Sequence, residues 1–89
     1  MKDYASMSDI EIDTMVSKIC SPEFHRNYCN NPADAWPIIV ENKISIYAAV
    51  LGDSRGEWGA ESSFTDYYHF HNNPLRSAMI VFLMMKEGE

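Results

Sequence analysis

The chain has 89 residues, of which 46% are hydrophobic and 22% charged, a composition typical of a folded globular protein. A chain of this length supports one modest hydrophobic core, so we expect a single domain over residues 1–89. Thirteen acidic and seven basic residues give a net charge of −6, which argues against direct nucleic-acid binding because phosphate neutralisation needs clustered cations. The carboxylates are scattered along the chain, which indicates a solubilising surface. The more specific alternative is that this acidic surface mimics the charge of nucleic acid.

The sequence contains no segment suited to a membrane. Its start lacks the apolar stretch of a secretion signal, and its longest apolar run, residues 78–85, is far shorter than the roughly 20 residues that span a bilayer. We therefore expect a cytoplasmic protein without membrane contact. A reducing cytoplasm would keep Cys20 and Cys29 as thiols, although their spacing also permits a disulfide.

The first predicted element is a helix that begins at Ser8 and ends near Cys20. Ser8 and Glu11 have the spacing of a capping box, while Met7 and Ile12 have that of a hydrophobic staple. The apolar residues of the helix repeat at the spacing of one helical face, at Ile12, Met15, Val16 and Ile19.

The next segment, as far as Pro37, is rich in Asn, Pro and aromatic residues, which predicts an irregular but ordered loop. Three aromatic side chains are expected to anchor it to the core: Phe24, Tyr28 and Trp36. Pro37 is placed to open a short helical turn over residues 38–42, because proline is tolerated at the first position of a helix.

Residues 44–51 and 57–64 are predicted to form an antiparallel β-hairpin. The first run is rich in β-branched and aromatic residues, which suits a central strand. The second run alternates, which places Trp58 and three further residues on one side: Ala60, Ser62 and Phe64. The residues from Gly52 to Gly56 supply the turn, and residues 65–71 form either a third strand or a wide loop.

Asn73-Pro74 marks the start of a C-terminal helix, with an N-cap followed by proline. The helix is apolar almost all round, so either the first helix or a second protein must cover what the sheet leaves exposed. We assign Met79 and Phe82 to the core. The candidate protein-binding residues on this helix, most simply for a twofold homodimer, are Ile80, Leu83 and Met84. The predicted fold is α+β, with this helix packed on the sheet.

Residue types that carry chemistry occur without a diagnostic arrangement. His69 and His71 would share one face of a strand, which allows a small metal-dependent or hydrolytic enzyme that also uses Cys29, but no third metal ligand is fixed by spacing. No nucleophile lies in a catalytic motif, and the glycines at 52 and 56 lack the lysine of a phosphate-binding loop. We therefore predict no catalytic residue, metal or cofactor, and interpret Glu57 and Glu61 as part of an acidic protein-binding surface.

Three segments together resemble the NinX-like family of tailed-phage proteins: residues 33–47 (ADAWPIIVENKISIY), residues 60–65, and residues 73–85 (NPLRSAMIVFLMM). The similarity extends over residues 8–85. It implies an accessory protein of temperate phages of enteric bacteria, made in the host cytoplasm, with no established catalytic residues to transfer. Our hypothesis is a phage protein that binds and modulates a host protein in defence or DNA metabolism; the alternatives are a self-associating domain and the His69/His71 enzyme.

Overall fold

The computed structural model describes residues 3–20, 23, 26–49, 56–63 and 65–87. Phe24, Phe64 and the predicted turn residues 52–55 lie outside this range. The described chain has the predicted α+β fold, with a sheet of three strands. Its elements in order are a 3₁₀ helix (Tyr4–Ser6), α1 (Asp9–Cys20), α2 (Pro32–Glu41), β1 (Ile44–Ala48), β2 (Trp58–Ser62), β3 (Tyr68–His71) and α3 (Pro74–Glu87).

The predicted capping box begins α1. The backbone amide of Glu11 donates to the Ser8 hydroxyl at 3.1 Å, and the backbone amide of Ser8 donates to the Glu11 carboxylate at 3.2 Å. Ile12 and Val16 are fully buried, as the predicted helical face requires, but Ile19 is 47% exposed. The core therefore covers the first two turns of this face and leaves the last one partly open.

The second helix begins five residues earlier than predicted, at Pro32 instead of Pro37. Asn31 caps it, because its side-chain oxygen accepts from the backbone amide of Ala33 at 3.1 Å, and Pro32 occupies the first helical position. Pro37 therefore lies inside the helix, where it has no amide to donate to the carbonyl of Ala33. The prediction was wrong because two prolines each fit a helix start, and the asparagine cap decides for the first.

The predicted aromatic anchors divide into one buried and one exposed residue. Tyr28 is 1% exposed and belongs to the core, whereas Trp36 is 60% exposed. The prediction for Trp36 was wrong because α2 buries the side that carries Ala35, Ile38 and Ile39, and Trp36 projects from another side. Burial on one side of an amphipathic helix thus outweighs the general tendency of tryptophan to be buried.

The sheet is antiparallel with the strand order β1-β2-β3, so β2 is central and β1 lies at an edge. The predicted central position of the first strand was wrong. A short connection returns the chain from β2 to β3, where the Ser62 amide donates to the Tyr67 carbonyl at 3.0 Å, and β3 thereby takes the free side of β2. Ala60 lies opposite Ile46 and His69 and is fully buried against α3.

The terminal helix α3 is the centre of the molecule. It contacts all three strands as well as α1 and α2, and every residue from Arg76 to Leu83 is buried. The sequence had left open whether the first helix or a second protein covers this apolar segment. In the structure, the sheet and the other helices of the same chain cover it.

A polar network joins the start of α3 to the N-terminal part of the chain. The Arg76 guanidinium is 4% exposed and lies 2.8 Å from the Asp9 carboxylate, and it also donates to the carbonyls of Tyr4 at 3.0 Å and Met7 at 2.5 Å. The side-chain oxygen of Asn73 caps α3, because it accepts from the backbone amides of Leu75 and Arg76. The side-chain nitrogen of Asn73 donates to the Cys29 carbonyl at 2.6 Å. The Asn-Pro-Leu-Arg motif therefore fixes the helix start and the packing of three segments at once.

Candidate protein-binding surface

The five residues predicted for protein binding fall into two groups. Ile80 is 0% exposed and Leu83 is 1% exposed, so both lie in the chain's own core and offer no surface to a partner. This corrects their assignment, because the sheet and helices α1 and α2 fill the space that a second molecule was expected to fill. Met84 is half-buried, whereas Glu57 and Glu61 are exposed.

Glu61 lies on the face of the sheet that points away from α3. Strand pairing arranges this face in two rows across the three strands: Tyr47, Gly59 and Phe70 in one, and Ser45, Glu61 and Tyr68 in the other. We call these six residues the outer face. Residues on the opposite side of the sheet, such as Ala60 and Ser62, are buried.

Three aromatic rings pack across the outer face. The rings of Tyr47 and Phe70 are 6.0 Å apart with an interplanar angle of 84°, and those of Tyr68 and Phe70 are 6.0 Å apart at 70°. Both pairs therefore have the edge-to-face geometry that aromatic side chains prefer. Because both contacts share Phe70, the three rings form one contiguous cluster.

Gly59 on the middle strand makes room for two of these rings. A Cβ atom at this position would lie 2.6 Å from the Tyr47 ring and 2.8 Å from the Phe70 ring. The rings cover the glycine backbone, which explains why Gly59 is buried on a face that is otherwise partly open. Tyr47 and Phe70 thus have a structural role as well as any role in binding.

The aromatic cluster remains accessible to a partner. Tyr68 is 52% exposed and Tyr47 is 36% exposed. Contiguous exposed aromatic side chains are characteristic of protein–protein interfaces, in which tyrosine and tryptophan are enriched. Of the six residues on the outer face, Glu61 is charged, and Glu57 lies just before the same strand. The face therefore combines aromatic rings with negative charge.

Sequence reasoning identified the two glutamates but missed the aromatic cluster. The signal was present as alternation: where Ile44 and Ile46 face inward, Ser45 and Tyr47 must face outward. Tyr68 and Phe70 could be placed only once residues 68–71 were known to form a strand.

A concave surface of about 550 Å³ lies between α2 and the ends of α1 and α3. Its charged lining residues have both signs: Arg26, Asp34, Glu41 and Lys86. Residues 21, 22, 24 and 25, which adjoin it in the chain, are not among the described ones. The outer face combines aromatic rings with charge of one sign, whereas the charges of the concave surface are mixed. The outer face is therefore the better candidate for a protein-binding surface.

The two histidines of β3 share one face, but it is the inner face of the sheet, with His69 opposite Ala60 and His71 opposite Trp58. His71 accepts a hydrogen bond at Nδ1 from the backbone amide of Asn73 at 3.0 Å. Burial, with a smaller contribution from the Arg76 charge, lowers the pKa of His71. Among the described residues, no three His, Cys, Asp or Glu side chains are grouped so that they could hold a metal ion.

Both cysteines are free thiols, Cys20 exposed and Cys29 buried. Burial raises the pKa of Cys29, and the neighbouring Asp13 carboxylate raises it further. The Asp13 carboxylate also accepts from the Cys29 backbone amide at 2.9 Å. Cys29 is buried, and both effects disfavour its thiolate form.

No helix in the described part of the chain is long and apolar enough to cross a membrane. No curated protein and no solved structure shows significant similarity to the chain. A family model described as bacteriophage P22 NinX matches residues 20–86, which include α2, the whole sheet and all of α3 except Glu87. The matched part contains all three aromatic residues of the outer face and the Asn73-Pro74 helix start. The chain therefore belongs to the P22 NinX family of bacteriophage proteins.

Proposed function

We propose that this phage accessory protein acts in the host cytoplasm by binding and modulating a host protein, and that the outer face of the sheet is the contact surface. Family membership supports a phage accessory role. The observation that supports the binding role is the exposure of Tyr47 and Tyr68 in one contiguous aromatic cluster. Aromatic side chains of this kind supply a large share of binding energy in protein interfaces.

The surroundings of the cluster also favour binding. Antiparallel pairing holds all three strands in register, and α3 supports the sheet from behind. A surface on paired strands loses little conformational entropy when a partner binds, because its backbone is already ordered. Modulation of the partner would then follow from occupying one of the partner's own sites, a role that needs no catalytic group.

The test is affinity capture from the lysate of a bacterial host of P22-like phages, followed by reconstitution with the purified partner. Three forms of the chain are compared: the wild type, the double variant Tyr47→Ala/Tyr68→Ala, and Trp36→Ala. Trp36 is an exposed aromatic residue on α2, so its variant is a matched control for the loss of an exposed ring.

We expect one host protein that the wild type and Trp36→Ala capture equally and that the double variant loses. Circular dichroism and thermal unfolding establish that all three forms are folded. Capture of nothing above background by the folded wild type would overturn the proposal. Equal capture by the double variant would show that the outer face is not the contact surface.

A further inference from the structure

We infer that the outer face recognises a cationic, arginine-bearing segment of the partner protein. This inference rests on the proposed function and specifies the chemistry of its partner. It is carried by the juxtaposition of exposed tyrosine rings and a carboxylate on one rigid surface. Each of these features attracts a guanidinium group, through a different interaction.

The rings supply the first interaction. Tyr47 and Tyr68 are exposed, and each ring makes an edge-to-face contact with Phe70. The face of an aromatic ring is electron-rich and attracts cations within about 6 Å of its centre. Arginine suits such a site better than lysine, because its planar and weakly hydrated guanidinium stacks on the ring.

Glu61 supplies the second interaction. It lies directly across from Tyr68 in the same row of the outer face, and its side chain is exposed. A guanidinium group stacked on Tyr68 could therefore donate to the Glu61 carboxylate at the same time. Glu57, which is exposed and directly precedes the same strand, and the net charge of −6 add a longer-range attraction for a basic segment.

The same features disfavour the other occupants of an aromatic surface. A second copy of the chain would bring its own Glu61 towards this one, and the six residues of the outer face include no Lys or Arg to neutralise either charge. Single-stranded nucleic acid stacks well on aromatic rings, but its phosphates require cations that these six residues do not provide. A basic protein segment can interact favourably with both the rings and the carboxylate.

The experiment is a calorimetric titration of the full chain with three short acetylated peptides of alternating glycine and one charged residue. The charged residue is arginine, lysine or glutamate, and oligothymidylate is the fourth probe. We expect the arginine peptide to bind about threefold to tenfold more tightly than the lysine peptide, because only the guanidinium both stacks and pairs. The glutamate peptide and the oligonucleotide should not bind.

Variants connect this binding to the outer face. We expect Glu61→Gln to weaken arginine-peptide binding about threefold and Tyr47→Ala/Tyr68→Ala to weaken it about tenfold, whereas Trp36→Ala should leave it unchanged. Glu61→Gln changes one exposed side chain, so it remains informative even where the double variant fails to fold. Equal affinity for the arginine and glutamate peptides, tighter binding of oligothymidylate, or the same loss in Trp36→Ala would each overturn the inference.

Competition separates this inference from the proposed function. A captured host protein that the double variant loses, but that saturating arginine peptide does not displace, overturns the cationic-segment inference and leaves the proposed function intact. Displacement by the arginine peptide and not by the glutamate peptide supports both. The absence of any captured host protein overturns the proposed function itself.

Discussion

Arg76 is a positive charge that the fold encloses almost completely, at 4% exposure. It pairs with Asp9, and this pairing holds the pKa of the Asp9 carboxyl below its usual range. It also donates to two backbone carbonyls, those of Tyr4 and Met7. A single side chain thus satisfies acceptors from the 3₁₀ helix, its C-cap residue and α1.

We expect Arg76→Met to lower the free energy of unfolding by about 2–4 kcal/mol, because it leaves the carbonyls of Tyr4 and Met7 without this donor. Urea unfolding measures the change. The matched control is Arg26→Ala, because the Arg26 side chain is 48% exposed and lies 3.6 Å from the Asp34 carboxylate, so that its loss should cost about 0.5 kcal/mol or less. Equal losses in the two variants would contradict the structural role of Arg76.

His71 should make stability depend on pH. Burial, reinforced by the Arg76 charge, lowers the pKa of His71 in the folded state, so the unfolded chain binds its proton more readily. The stabilisation from neutral His71 is complete above an unfolded pKa of about 6.5 and decreases as the pH falls towards the lower folded pKa. Protonation of Nδ1 would also remove the hydrogen bond from the Asn73 amide.

Thermal unfolding between pH 7.5 and 5.5 tests this dependence. The wild type should lose stability as the pH falls, and His71→Gln should lose less over the same interval. An unchanged pH dependence in His71→Gln would assign the effect to other groups.

At the scale of elements, the close approach of backbone atoms limits which substitutions the strands tolerate. A Cβ at Gly56 would lie 2.5 Å from Cα and 2.7 Å from N of His71, which are backbone atoms of β3. At Gly59, the nearest atoms belong to aromatic side chains instead. A backbone cannot move without disturbing the strand, whereas a ring at the surface can rotate.

We expect Gly56→Ala to lower the free energy of unfolding by about 2–3 kcal/mol and Gly59→Ala by about 1 kcal/mol or less. Chemical denaturation of the two variants in parallel gives the comparison. A larger loss in Gly59→Ala would show that the aromatic cluster is more rigid than its exposed position suggests.

Elements whose signals are local were predictable from the sequence. The capping box at Ser8 and the Asn73-Pro74 helix start act within one turn of helix, so neighbouring residues are sufficient to identify them. The strand order, the outward direction of Trp36 and the burial of Arg76 depend on partners far along the chain. The outer face combines residues of three strands, so local alternation can indicate the direction of Ser45 and Tyr47 but cannot show which residues of the other strands lie beside them.

At the scale of the whole molecule, the described elements share one core organised around α3. Leu83 and Ile80 are fully covered within the chain, so the apolar character of α3 does not by itself require a second subunit. The sequence alone could not tell whether the apolar helix stabilises the fold or offers a surface to a partner. The helix supplies stability, and the sheet presents the exposed aromatic surface.

We expect Leu83→Ala to lower the free energy of unfolding by about 2–5 kcal/mol, because it leaves a cavity in the core. The adjacent half-buried Met84 is the control, and Met84→Ala should cost about 1 kcal/mol. Both losses should be independent of protein concentration, since the contacts lie within one chain. A loss for Leu83→Ala that depends on concentration would instead indicate a subunit interface.

The position of α3 in the chain also bears on how the protein is made. The strands and the first two helices leave the ribosome before the helix on which they all pack, and none of them has its main apolar partner until residues 74–87 emerge. Folding must therefore follow synthesis of the last described helix, with contacts as distant as Arg76 to Tyr4 closing at the end. A nascent chain that stops short of this helix exposes its apolar faces and becomes a substrate for chaperones and proteases.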